Sequence, residues 1–153
     1  MTWLRKYSEE VYSALRFIAG FLFLCHGLQK YFGMLGGAVQ IHTAKGLIAG
    51  TIEMWGGTLI AVGLATSIAA FVASGEMAVA YFWVHAGRSF WPIINKGELA
   101  TVFCFLFLYI AAKGSGKYSL DSLLRNHVPR RQGVVPAMHE MKQRNIENFN
   151  PPD

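Results

Sequence analysis

Four apolar stretches constrain this chain more than any other feature. They run from about Val11 to Gly33, Leu47 to Leu64, Ser67 to Ala86 and Leu99 to Ala112. A bilayer core about 30 Å thick is crossed by roughly 20 apolar helical residues. The first three stretches approach that length. The fourth is short, so its polar ends are expected at the headgroups or in locally thinned bilayer. β-Barrel strands alternate apolar and polar residues, whereas these stretches are apolar on nearly every face. The expected fold is therefore all-α, a four-transmembrane-helix bundle. Composition agrees: 15% of residues are charged, against about 25% in an ordinary soluble domain. With 53% hydrophobic residues the chain is also no disordered polymer. Its 2 cysteines are too few for a disulfide framework or a zinc ribbon.

The ends and connections fix an expected topology. Arg5 and Lys6 precede the first stretch as they would in a signal peptide. That stretch is too long for one, however, and no Ala-x-Ala site follows, so it reads as a retained helix. Ser8 is its expected N-cap, with Glu9 and Glu10 in the first turn, where the helix dipole favours anions. Almost no loop separates the second and third stretches, which predicts a tight hairpin near Ala65 and Thr66. The Gly87–Lys96 connection, with Phe90, Trp91 and Pro92, is expected in the interface or folded back on the bundle. Four spans place both termini on one side. That side collects 10 of the 14 Lys and Arg residues, leaving Lys30, Lys45, Arg88 and Lys96 on the other. The positive-inside rule then puts both termini in the cytoplasm of a multi-pass protein of the cell (inner) membrane. Residues 1–125 are expected to form the membrane domain, and 126–153 a basic, proline-containing cytoplasmic tail. The net charge of +5 is read as topology rather than nucleic-acid binding, because no nucleic-acid module accompanies it.

Ionisable residues inside a bilayer cost about 2.5–3.5 kcal/mol at the centre on insertion scales, and they tend to face a bundle interior. The first span carries His26, Gln29 and Lys30, which share a face at i, i+3 and i+4. Glu53 sits on a stripe with Gly46, Gly50 and Gly57, a small-residue pattern that favours close helix packing. At about 1.5 Å per residue, His26 and Glu53 both lie roughly 10 Å below the outer boundary. Gln29, Lys30, His85 and Glu98 lie nearer that boundary, and Glu76 nearer the midplane. His85 is nine residues from Glu76, half a turn out of phase on a regular helix.

Each polar residue also has a structural reading. Glu53 with Lys30 or His26 reads as an ion pair that sets helix register. His85 reads as a headgroup-level anchor, Glu98 as a helix-start carboxylate, and Glu76 as a carboxylic acid bonded to a backbone carbonyl. His26, Glu53, His85 and Glu98 are metal-ligand types, but no His-Glu-x-x-His motif joins them, so no metal is expected. Cys25 and Cys104 read as packing residues rather than a redox pair.

These residues fall in recognisable order. His26-Gly27-Leu28-Gln29-Lys30 is followed by Glu53-Met54-Trp55-Gly56-Gly57 and Gly63-Leu64-Ala65-Thr66. Then come Met77-Ala78-Val79-Ala80-Tyr81-Phe82 with His85, and Phe90-Trp91-Pro92-Ile93-Ile94-Asn95-Lys96-Gly97-Glu98. Phe103-Cys104-Phe105 and Gly114-Ser115-Gly116 close the series. Over about residues 10–125 the chain resembles the DoxX family of small four-helix membrane proteins. The family's oxidoreductase label comes from similarity to a subunit of quinone-linked complexes, including thiosulfate:quinone oxidoreductase. The resemblance implies a membrane subunit of a quinone-linked oxidoreductase, with quinone as the expected cofactor. His26 and Glu53 would then be the catalytic proton carriers, since imidazole titrates near neutrality. Gln29 and Lys30 would bind the quinone oxygen or an anionic substrate. Trp55, Tyr81 and Trp91 would wall the site, with His85, Asn95 and Glu98 at its rim. No dinucleotide fingerprint is present, so electrons would need another redox subunit. The expected partners are the lipid membrane, such subunits and a second copy of the chain. The alternative is a non-catalytic membrane scaffold or small-solute carrier held together by its polar cluster.

Overall fold

Apolar runs without strand-like alternation leave helix as the structure that satisfies every backbone group within one segment. The computed structural model describes residues 3–127, which are all-helical without strands. Helix α1 is Ser8–Phe32. Helix α2 is one rod made of Ala44–Thr51, a π turn Ile52–Gly56 and Gly57–Val62. Helix α3 is Thr66–Ala80 continued by a second π turn, Tyr81–His85. A short α4, Pro92–Asn95, lies in the connection to α5, Glu98–Lys113. Helix α6, Leu120–His127, ends the described chain. The basic tail expected over 126–153 lies outside the described residues from 128 onward.

Four of these helices, α1, α2, α3 and α5, form one antiparallel bundle, with α1 against α2 and α3 against α5. Two segments, Leu4–Phe32 and Thr66–His85, are long and apolar enough to cross a membrane. A core helix of a soluble protein would be mostly covered, yet only 33% of the most apolar window of each is buried. The bundle has an apolar core, with Phe23, Ile60, Phe107 and Ile110 fully buried, but it is apolar outside as well and encloses charged groups. Phe71, Phe82, Trp83 and Phe105 point outward at 64–70% exposure, while Arg16 and Glu53 are 98% covered. Contiguous exposed apolar surface on this scale marks a face that meets something other than water.

Close backbone approach holds α1 to α2. A Cβ added to Gly20 would lie 2.5 Å from the Ala61 nitrogen, and one on Gly57 would lie 2.5 Å from the Leu24 nitrogen. The small-residue stripe expected on α2 therefore serves packing, and Gly20 on α1 matches it. Gly57→Ala should push the helices apart and lower stability by roughly 1–3 kcal/mol. Thermal unfolding in detergent checks this against Gly75→Ala. A Cβ added to Gly75 would meet no neighbouring atom within 4 Å, so that change should leave the midpoint unchanged or higher.

The tight hairpin is present, and Gly63 and Ala65 make its turn at positive φ. One expectation fails at the N-terminus. Ser8 does not cap α1, because a 3-10 turn over Leu4–Tyr7 extends the helix backwards. Ser8 is thus interior to a longer helical rod.

Candidate functional site

The residues singled out in sequence separate into a central cluster, a loop network and an outer face. The hairpin sets the first. Glu53 lies nine residues before Val62, and Glu76 ten after Thr66, so the two carboxylates are level across α2 and α3. The sequence places Glu76 nearer the midplane than Glu53, whereas the hairpin register sets the two level. The π turn of α2 packs on α3, and Glu76 lies within reach of the charges of Glu53 and Lys30. From α1, the Lys30 ammonium donates to Glu53 Oε1, with side chains 21% and 3% exposed respectively. His26 lies within electrostatic reach of Glu53. It meets the Phe103 ring of α5 edge-on, with centroids 6.5 Å apart. All four bundle helices therefore contribute to one level.

The cluster is incompletely paired. Glu53 Oε2 and Glu76 Oε2 are buried without a hydrogen-bond partner. Glu76 Oε2 therefore does not make the expected bond to a backbone carbonyl. Buried polar oxygens are normally satisfied, and two together, flanked by an ammonium and an imidazole, form a place suited to handling protons. The π turn at Glu53 could not be read from a uniform helical period, yet such turns cluster at functional positions.

The second π turn, Tyr81–His85, organises the loop network. A π turn acts as one inserted residue, so Glu76 and His85 end about 80° apart rather than opposite. Asn95 is 1% exposed and fully used. Its amide donates to Ser89 O at 2.7 Å and Tyr81 Oη at 3.3 Å, and its Oδ1 accepts from Gly97 N at 2.7 Å. The Tyr81 hydroxyl donates to Phe90 O. His85 Nδ1 lies 3.1 Å from Asn95 O. A carbonyl only accepts, so Nδ1 carries the proton of this bond. Tyr81, His85 and Asn95 thus fold the Gly87–Lys96 loop back on the bundle, as expected of that loop.

Other expected site residues stand apart from both groups. Gln29 donates to Leu35 O at 3.1 Å and ties down the loop after α1. Glu98 is exposed in the first turn of α5. Trp55 and Trp91 point outward at 60% and 63% exposure, so they line the surface rather than the cluster. Cys25 and Cys104 are both free. Ser74 donates to Cys104 O at 2.8 Å, tying α3 to α5. Among the described residues no group of three metal-ligand types converges.

One polar centre was underrated in sequence. At the hairpin end, Arg16 Nη1 donates to Ile60 O and to Ala61 O at 2.7 Å, and Nη2 donates to Tyr118 O at 2.8 Å. Asp121 accepts from the nitrogens of Ala65 at 3.0 Å and Thr66 at 3.3 Å. A cation thus sits at the end of α2 and a carboxylate at the start of α3, the signs each helix dipole favours. The only sequence signal was an arginine inside an apolar run.

Comparison with known proteins identifies the family. The DoxX family profile matches residues 11–86, which carry His26, Lys30, Glu53, Glu76 and His85. The chain belongs to the DoxX family. A Haemophilus influenzae protein without assigned function is 40% identical over 126 residues, covering 78% of this chain and 94% of that one. A Bacillus subtilis relative, CatD, carries a provisional oxidoreductase label. It is 29% identical over 112 residues, covering 70% of this chain and 81% of its own. No solved structure matches the chain. DoxX proteins are membrane proteins, which accounts for the apolar exterior of this one.

Proposed function

We propose that this DoxX chain is a multi-pass membrane subunit of a quinone-linked oxidoreductase whose central cluster handles protons. All four bundle helices span the bilayer in this reading. Both termini lie in the cytoplasm, on the side that collects most of the cations. The observation that carries the proposal is the pair of unpartnered buried oxygens, Glu53 Oε2 and Glu76 Oε2, beside Lys30 and His26.

The donor set fits a quinone. Lys30 and a protonated His26 can donate to a ring carbonyl, and the two carboxylates can exchange protons with it. Phe103 supplies an aromatic surface at the same level. A bound quinone would supply the two-electron redox chemistry, with electrons delivered through another subunit. The chain's own work is to hold the cluster in a dry bundle and to pass protons at His26 Nε2 or Nδ1 and the carboxylate oxygens. The provisional oxidoreductase label of CatD supports the reaction class.

The test is quinone binding and donor-dependent quinone reduction by the protein purified with its native membrane. His26→Ala should lower turnover by about 10²–10⁴-fold, the usual contribution of a positioned acid–base group, while the unfolding midpoint stays near wild type. A folded protein with neither bound quinone nor quinone-dependent activity would overturn the reading and favour a scaffold or solute carrier.

A further inference from the structure

A groove of about 380 Å³ runs between the start of α1 and the end of α5, at the hairpin end of the bundle and away from the polar cluster. Its walls are Leu4, Val11, Leu15 and Tyr109, its floor is Tyr12, and Arg5 and Lys113 stand at its mouth. The Tyr12 hydroxyl is spent on Gly114 O, and the Tyr12 ring meets Tyr109 edge-on at 6.1 Å. The floor is therefore fixed and presents carbon. Lys113 Nζ is held 4.1 Å above the Tyr12 ring and 3.3 Å from Glu9 Oε1. Arg5 has no ion-pair partner among the described residues. Two cations and one carboxylate leave the mouth with one net positive charge.

An apolar channel that opens at one end onto a single net positive charge matches an amphiphile with one anionic head. We propose that this groove seats a phospholipid of net charge −1, its phosphodiester on Arg5 and Lys113 and an acyl chain along Val11 and Leu15. The proposal rests on the membrane reading, which puts this end of the bundle at headgroup level. A chain lying in the groove covers apolar surface, and its phosphate neutralises the mouth. A zwitterionic lipid satisfies the first condition and leaves the second unmet. Juxtamembrane cations contribute about 1 kcal/mol each toward anionic lipid, so preference for the anionic head is set by Arg5 and Lys113 together.

The experiment reconstitutes the full chain into nanodiscs of phosphatidylcholine containing phosphatidylglycerol. The lipids that stay bound after gentle release are then counted by native mass spectrometry. Wild type should retain one phosphatidylglycerol in preference to phosphatidylcholine. The Arg5→Gln/Lys113→Gln variant should lose that preference by about tenfold or more. Leu15→Trp, which fills the groove and keeps its charges, should lose the bound lipid too. Lys6→Gln removes an ammonium that lies over the Tyr7 ring instead, and it should change nothing. Equal retention of both lipids overturns the seat, as does an equal effect of Lys6→Gln, which would mean diffuse surface charge. Displacement of the lipid by inorganic phosphate would also overturn it, since a free anion would then suffice. A chain that stays in water without detergent or disc sinks the membrane reading itself. A chain that enters discs and shows no lipid preference sinks only the seat.

Discussion

Lys30→Met should destabilise the bundle by about 3–5 kcal/mol, the cost of leaving one member of a buried ion pair without the other. Glu53 is 2% exposed, one carboxylate oxygen receives the Lys30 ammonium, and the other has no partner. Removing the cation leaves both oxygens without a partner, with the Glu76 carboxylate within electrostatic reach. The companion variant Lys30→Met/Glu53→Gln should recover most of the loss, because the buried charge goes with its counter-ion. Chemical unfolding in detergent, run as a double-mutant cycle, measures the coupling between the two sites. A single Lys30→Met as stable as wild type would mean the pair is a surface contact and the centre is wet. A double variant as poor as the single would mean the loss came from the lysine's packing rather than its charge.

The other large effect is at the hairpin end. Arg16→Met should cost about 3 kcal/mol or more, because hydrogen bonds from a charged donor contribute roughly 1.5–3 kcal/mol each. Three carbonyls, those of Ile60, Ala61 and Tyr118, lose their donor together. Two belong to the end of α2 and one to the segment leading into α6. The damage should therefore appear as loosening of the C-terminal segment as well as a lower midpoint. Faster tryptic cleavage after the exposed Lys117 is the local readout. Arg16→Lys should be intermediate, since one ammonium cannot fork across a helix end and a neighbouring strand of backbone. Unchanged cleavage in Arg16→Met would show that Asp121, which accepts from Ala65 and Thr66, holds that segment unaided.

Both variants act inside a bundle that is apolar on its outer face as well as in its core. In a water-soluble bundle the interior is apolar and a buried Arg or Glu is an exception. Here the faces bearing Phe71, Phe82, Trp83 and Phe105 also look outward, while Arg16, Glu53 and glycine-mediated backbone contacts lie beside an apolar core of Phe23, Ile60, Phe107 and Ile110. Lipid offers no hydrophobic drive for helix association, so close packing and polar pairing must supply it. The Gly20–Gly57 approach and the Lys30–Glu53 pair are those two contributions on the same helix pair.

The order of amino acids was enough for the helices, the hairpin, the shared face of His26 and Lys30, and the family. Each follows from a rule that adds along the chain: transfer free energy over a window, residue period on a helix, motif order. Tertiary packing was needed for the rest. The two π turns break the uniform period, and they bring Glu53 onto α3 and turn His85 toward the face of Glu76. Aromatic side chains suit a cleft wall and a lipid face equally well, so only the packed bundle shows Trp55 and Trp91 outside and Phe103 beside His26. The Arg16 clamp joins residues 44 and 102 positions apart. Which carbonyls a buried guanidinium satisfies depends on what the fold brings within 3 Å of it, and no local pattern encodes that distance.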